Sequence, residues 1–163
     1  RYSGRVKIAC QSLLTNVSAC IMTERGGDVW VQPIFYPFAL MAKYGRGVVM
    51  DERSRGPVYS VREFEQVPYV DHVAVYNQEK NEMVLFMVNR GETEAEVEAE
   101  FQDFALSAVE ESAGLWHEDK KATNQVNHEN VVLRELSNYR LLDHRVECRM
   151  QPLSFQMLRI SLA

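Results

Sequence analysis

The hydrophobic positions of this chain change their period near residue 50. From Val6 to Leu14 the apolar residues Val6, Ile8, Ala9, Cys10, Leu13 and Leu14 recur at mixed three- and four-residue spacing, with Arg5, Lys7, Gln11 and Ser12 between them. This predicts the end of a helix. "NVSACIM", Asn16 to Met22, is short and almost continuously apolar, as a strand buried on both faces is. "TERGGD" reads as a loop. Ile34, Phe35, Phe38, Met41 and Ala42 then mark one face of a second helix, which begins just after Gln32, holds Pro37 in its first turn and stops at Gly45 and Gly47. Helix, buried strand, loop, helix is the unit of an α/β protein with parallel strands, and the chain contains one such strand.

Beyond Met50 the period becomes two. In "EAEVEAEF", Ala95, Val97, Ala99 and Phe101 alternate with Glu94, Glu96, Glu98 and Glu100, a strand with one wet face. Ala and Glu favour helix, but strict alternation gathers the apolar set on no single helical face. "VDHVAVYN" and "EMVLFMVNR" predict a hairpin across a polar turn. Further strands are expected at Val58 to Val61, Ala108 to Trp116, Val131 to Leu136, His144 to Met150 and Leu153 to Leu162. Short strands at roughly ten-residue spacing indicate a β-sandwich.

Charge follows the same division. Residues 1–50 hold six Lys/Arg and two Asp/Glu, a balance of +4, whereas residues 51–163 hold twelve and twenty-one, a balance of -9. A boundary is therefore expected near Met50, giving segments 1–50 and 51–163. The net charge of -5 excludes a basic nucleic-acid-binding surface. No run of about 18 apolar residues is present, which argues against a helical membrane anchor. Three widely spaced cysteines, Cys10, Cys20 and Cys148, form neither a disulfide framework nor a zinc motif, so a reduced, cytoplasmic setting is expected. "RYSGRVKIAC" lacks the apolar core of a signal peptide and reads like a chain already under way.

Little of the polar inventory forms a pattern with its own chemistry. His72, His117, His128 and His144 are scattered without HExxH or HxH spacing, so no metal site and no cofactor are expected. Cys10 and Cys20 lie in apolar segments and are expected to be buried and inert. The Asn16 glycosylation pattern falls at the start of the buried strand and is discounted. The glutamates at 94, 96, 98 and 100 are the solvent face of their strand. Glu24 follows the buried strand, where barrel enzymes place catalytic groups, but one carboxylate does not make the pair that glycosidic cleavage requires. In "GGDVWVQ", Trp30 offers a flat apolar face and Gln32 an amide that both donates and accepts. On spacing alone Trp30 reads as packing on the helix and Gln32 as its lead-in, rather than as ligand contacts.

Taken in order, "RVKIACQSLLTNV", "NVSACIMTERGGDVWVQPIFYPFALMAKYGRG", "VPYVDHVAVYNQEKNEMVLFMVNR", "HEDKKATNQVNHENVV" and "PLSFQMLRISL" resemble the closing part of the intracellular α-L-arabinofuranosidases, family fifty-one of the glycoside hydrolases. The resemblance covers nearly the whole chain. It implies a mainly β chain: the last helix-strand-helix segment of a (β/α)8 barrel in residues 1–50, then a C-terminal β-sandwich of jelly-roll type in residues 51–163. Such enzymes release terminal arabinofuranosyl groups with retention, using one glutamate as acid/base and another as nucleophile. No residue here matches either glutamate, so the resemblance implies a C-terminal part, inactive alone, whose partner is a missing N-terminal barrel portion. By the same resemblance Gln32 contacts arabinose hydroxyls and Trp30 shapes the pocket. Cys20 and Pro33 depart from the family, where proline and threonine are common. The implied ligands are arabinofuranosyl oligosaccharides, reached through the complete enzyme. A homo-oligomer is expected, and neither nucleic acid nor membrane is an expected partner. The rival is an autonomous carbohydrate-binding or oligomer-assembly sandwich. Outside a barrel, Ile21, Ile34, Phe35 and Phe38 are expected to be exposed.

Overall fold

The run Met83–Met87 is apolar at every position because both of its faces are covered. The computed structural model describes residues 2–163. In it this run lies in β7 (Glu82–Asn89), which pairs antiparallel with β6 (Val70–Asn77) and with β12 (Ser154–Leu162). Adding β3 (Val48–Val49) outside β6 and β9 (Leu106–Leu115) outside β12 completes a five-stranded sheet, ordered β3-β6-β7-β12-β9. A second sheet is ordered β10 (Tyr139–Leu142), β11 (Arg145–Met150), β8 (Ala95–Glu100).

Strand alternation divides the core in two. Met83, Leu85, Met87, Leu158 and Ile160 point towards the three-stranded sheet and cluster with Val146, Cys148 and Met150 of β11. Val84, Phe86, Phe155 and Met157 point the other way and cluster with Ala113, Leu115, Val131 and Leu40. Leu40 belongs to α1 (Phe35–Tyr44), so a helix and an irregular segment cover the outer face of the large sheet. The chain is mainly β, with two sheets facing across a shared core and a helix on the far side.

Several expectations hold. The hairpin is β6–β7, the alternating glutamate segment is β8 with Glu94, Glu96, Glu98 and Glu100 exposed, and Pro37 sits in the first turn of α1. Arg149 and Arg145 of the neighbouring β11 pair with that acidic face, at 3.1 Å to Glu96 and 3.3 Å to Glu98. Strands are also found at Val58–Val61 (β4), in β9, in β11 and in β12.

The N-terminal segment differs from its expectation. No helix forms over residues 6–14, and Val6, Ile8, Leu13 and Leu14 are exposed. A helix this short is marginal unless its apolar face is buried, and nothing among the described residues covers it. The expected buried parallel strand is also absent. Asn16 and Val17 adopt left-handed backbone, φ 59° and 58°, and only Ile21–Thr23 is extended, as β1. It pairs antiparallel with β2 (Val29–Val31), and the parallel pairing of Ile21 is limited to an isolated bridge with Thr15. Asn16 heads the turn into β1, accepting from Thr23 N–H at 2.7 Å.

Two further corrections concern α1 and the expected strand at 131–136. The face of α1 on the sheet is Tyr36, Leu40 and Tyr44, while Ile34 (51% exposed), Phe38 (43%) and Met41 (47%) face outward. The sequence therefore marked the helix and an apolar face that lies away from the sheet, but not the face that packs. Of the four residues expected to be exposed, Ile34 and Phe38 are, whereas Ile21 and Phe35 are half-buried. Val131 and Leu136 are buried without forming a strand, joined to β9 by a single bridge between Gly114 and Arg134. A Cβ at Gly114 would lie 2.4 Å from Leu136 Cδ2 and 2.6 Å from the Trp116 ring at Cζ3, so a side chain there would force both to shift. Strands β5 (Phe64–Pro68), which pairs with β4, and β10 are additions.

Cys10 is exposed rather than buried, whereas Cys20 and Cys148 are buried. Burial pushes the Cys148 thiol up from 9.0 to about 11. An unfolded thiol ionises earlier, so the stability associated with the neutral thiol is present below about pH 9 and is lost as pH rises towards 11. Cys148→Val should therefore show a flatter decline of Tm between pH 9 and 11 than the parent, measured by thermal melts at each pH. Parallel declines would contradict this.

Candidate functional site

Trp30 and Gln32, the two residues singled out in the sequence, flank Val31 at the end of the β1–β2 hairpin. The "TERGGD" loop is the hairpin turn: Glu24 N–H donates to Asp28 C=O at 3.1 Å, Gly27 N–H donates to Glu24 C=O at 3.1 Å, and Gly26 supplies φ +70°. Glu24 is thus an exposed turn residue. Gln32 N–H donates to Cys20 C=O at 2.9 Å, which fixes the strand end just before α1.

The structure brings both residues to one point. Trp30 Nε1–H and Gln32 Nε2–H donate to the same acceptor, the backbone carbonyl of Asn124, at 3.1 and 2.9 Å. Asn124 is 1% exposed and lies in the irregular segment between β9 and β10. Its side chain returns the contact: Nδ2 donates to Val31 C=O at 3.0 Å and to Val131 C=O at 2.9 Å, and Oδ1 accepts from Val131 N–H at 2.8 Å. Asn127 Nδ2 adds a weaker bond to Asp28 Oδ2 at 3.3 Å. The hairpin that carries Trp30 and Gln32 is therefore tied to the sandwich over residues 28 to 32.

Gln32 is half-buried, and its Oε1 has no hydrogen-bond partner among the described residues. Behind it, Tyr36 packs into the outer core. Burial, with a smaller contribution from the Glu129 carboxylate, pushes its phenol above the usual value, so it stays neutral. With both N–H donors spent on Asn124, this assembly can offer a polyol the Gln32 amide oxygen and the apolar face of an indole.

Sequence reasoning missed Asn124. Asn124, Asn127 and Asn130 share one polar segment, and nothing in their spacing marks the first as the buried one. The histidines do not gather: His72 Nε2 lies 3.6 Å from Glu52, and His144 Nε2 lies 3.2 Å from Asp143. Among the described residues no three His, Cys, Asp or Glu side chains converge as a metal site requires. Two clefts of about 730 and 460 Å³ lie beside β3 and β6, and neither includes Trp30 or Gln32. No helix among the described residues is long and apolar enough to cross a membrane.

The family model of the α-L-arabinofuranosidase C-terminal domain matches residues 1–154. The chain belongs to this family. An intracellular exo-α-(1→5)-L-arabinofuranosidase of Bacillus subtilis is 39% identical over 160 residues, covering 98% of this chain and 32% of that protein. An exo-α-(1→6)-L-arabinofuranosidase of Bifidobacterium longum is 37% identical over 137 residues, covering 80% and 25%. Among solved structures, a family 51 α-L-arabinofuranosidase from Bifidobacterium longum superposes with TM-score 0.87 at 25% identity, covering 98% of this chain and 32% of that one. The α-L-arabinofuranosidase C-terminal domain described here thus spans about a third of the length of the Bacillus subtilis relative and a quarter of that from Bifidobacterium longum.

Proposed function

We propose that this chain is the C-terminal part of a retaining exo-acting α-L-arabinofuranosidase, which removes terminal arabinofuranosyl groups from arabinose-containing polysaccharides and oligosaccharides. Residues 1–50 form the final segment of its catalytic (β/α)8 barrel, and residues 51–163 form a C-terminal sandwich of jelly-roll type. The two catalytic glutamates come from the rest of the longer protein. Gln32 contacts sugar hydroxyls, with Trp30 shaping the pocket beside it. The working enzyme is a cytoplasmic homo-oligomer.

The observation that carries this reading is the outward face of α1. Its Tyr36, Leu40 and Tyr44 seat on the sandwich, while Ile34, Phe38 and Met41 on the other side stay exposed, directly after the segment bearing Trp30 and Gln32. A helix apolar on two sides is built to lie between two layers. The names of the relatives supply the activity class. The rival reading, a free-standing carbohydrate module, needs an exposed aromatic platform. Trp116 is half-buried and already carries the Arg134 guanidinium 4.9 Å from its ring.

The test compares the full-length protein with residues 1–163 on an aryl α-L-arabinofuranoside and on (1→5)-linked arabino-oligosaccharides. The full-length protein should hydrolyse both with retention, followed by NMR of the first-formed sugar, and the shorter chain should hydrolyse neither. In the full-length protein Gln32→Ala should lower kcat/KM about ten- to a hundredfold, the value of roughly one or two hydrogen bonds to the sugar. Inversion of configuration, or turnover by residues 1–163 alone, would overturn the reading.

A further inference from the structure

An amide side chain at a sugar site is only useful if its two ends are told apart. Gln32 has a donor end and an acceptor end of nearly the same shape, and rotation about its last bond exchanges them. The Asn124 carbonyl removes that ambiguity. With an acceptor 2.9 Å away, the NH₂ end must face it, because an amide oxygen turned there would meet another oxygen. Oε1 is left facing away, with no partner among the described residues.

The carbonyl that sorts the amide is itself held. Every side-chain polar atom of Asn124 is engaged, by Val31 C=O on one side and by both backbone groups of Val131 on the other. Val131 is 6% exposed and belongs to the outer core of the sandwich, with Phe86 and Met157. The position of the Asn124 carbonyl is thus set by the packed sandwich and passed to Trp30 and Gln32 through two hydrogen bonds.

We propose that Asn124 is a positioning residue of the arabinofuranosidase site: its backbone carbonyl orients Gln32 so that Oε1 is presented as an acceptor for a sugar hydroxyl, and its side chain holds that carbonyl in place. The proposal rests on the reading of Gln32 as a sugar contact. It gives the sandwich a part in substrate recognition without any sandwich side chain touching substrate.

The test is a double-mutant cycle in the full-length enzyme with Gln32→Ala, Asn124→Ala and the double variant, reading kcat and KM on an arabinofuranoside. Asn124→Ser, whose hydroxyl keeps one donor and one acceptor, serves if Asn124→Ala does not fold. Asn124→Ala or Asn124→Ser should lower kcat/KM about tenfold or more, since small misplacements of a substrate-positioning group cost up to about 100-fold. The loss should divide between kcat and KM as it does for Gln32→Ala, and the double variant should be no worse than Gln32→Ala alone. Losses that multiply would show that Asn124 acts independently of Gln32 and would overturn the proposal, as would unchanged kcat/KM in the Asn124 variants. If Gln32→Ala itself keeps full activity, the sugar contact fails and this inference falls with it.

Discussion

Leu158→Ala should destabilise the domain by about 3–5 kcal/mol, the range for deleting most of a buried leucine that leaves a cavity. Leu158 is 0% exposed and lies in the cluster between the two sheets. Its backbone is opposite Leu85 of β7 and Ser112 of β9, in a strand hydrogen-bonded on both edges. With β12 held on two sides, the chain cannot collapse into the vacated space, so the cavity persists. Against a total of roughly 5–15 kcal/mol for a domain of this size, that is a third or more of its stability. Urea unfolding should show the midpoint falling with an unchanged slope, and a loss below about 1 kcal/mol would mean that the site repacks.

Arg159→Met should have the second-largest effect, about 2–3 kcal/mol, below the range for severing a fully buried pair because some water reaches these groups. Arg159 is paired with Glu82 through Nη1, and its Nε lies 3.6 Å from Glu111, an ion pair beyond hydrogen-bonding distance. Its guanidinium also lies 5.7 Å from the Tyr44 ring centre, and the Tyr44 hydroxyl donates to Glu111. The Arg159 and Glu82 side chains are 20% and 13% exposed. Methionine keeps most of the stem's packing but leaves two carboxylates without their shared cation. Combining it with Glu82→Gln should recover part of the loss in chemical denaturation. Equal stability of Arg159→Met and the parent would show that the network contributes nothing net.

Those three strands and the end of α1 meet through residues that sequence patterning does not register, and the same limit explains what was legible and what was not. Alternation in β8 and the hairpin of β6 and β7 were readable because one physical cause, a sheet with defined faces, repeats over many residues. Val131 and Leu136 misled because burial in an irregular segment produces the same apolar letters as a strand. The apolar spacing of residues 6–14 and the run around Cys20 predict elements that need neighbours for burial and pairing, and among the described residues nothing covers Val6, Ile8, Leu13 and Leu14. At α1 the pattern of Ile34, Phe38 and Met41 was real but pointed away from the sandwich. Trp30 and Gln32 were singled out through the family resemblance, not by spacing. Their shared acceptor was not legible, because a backbone carbonyl leaves no mark on the identity of the residue that carries it.

The tie between the hairpin and Asn124 also bears on how such domains diverge and are engineered. A sandwich joined to the segment before it only through a linker could be exchanged for another with little consequence for that segment. Here one carbonyl from the sandwich meets two side chains of the preceding segment, and its own side chain reaches back to the backbone between them. A chimera that joins this hairpin to a foreign sandwich would have to reproduce that one contact. Recombination breakpoints are therefore better placed before Ile21 than near Met50, so that β1, β2, α1 and the loop bearing Asn124 are inherited together.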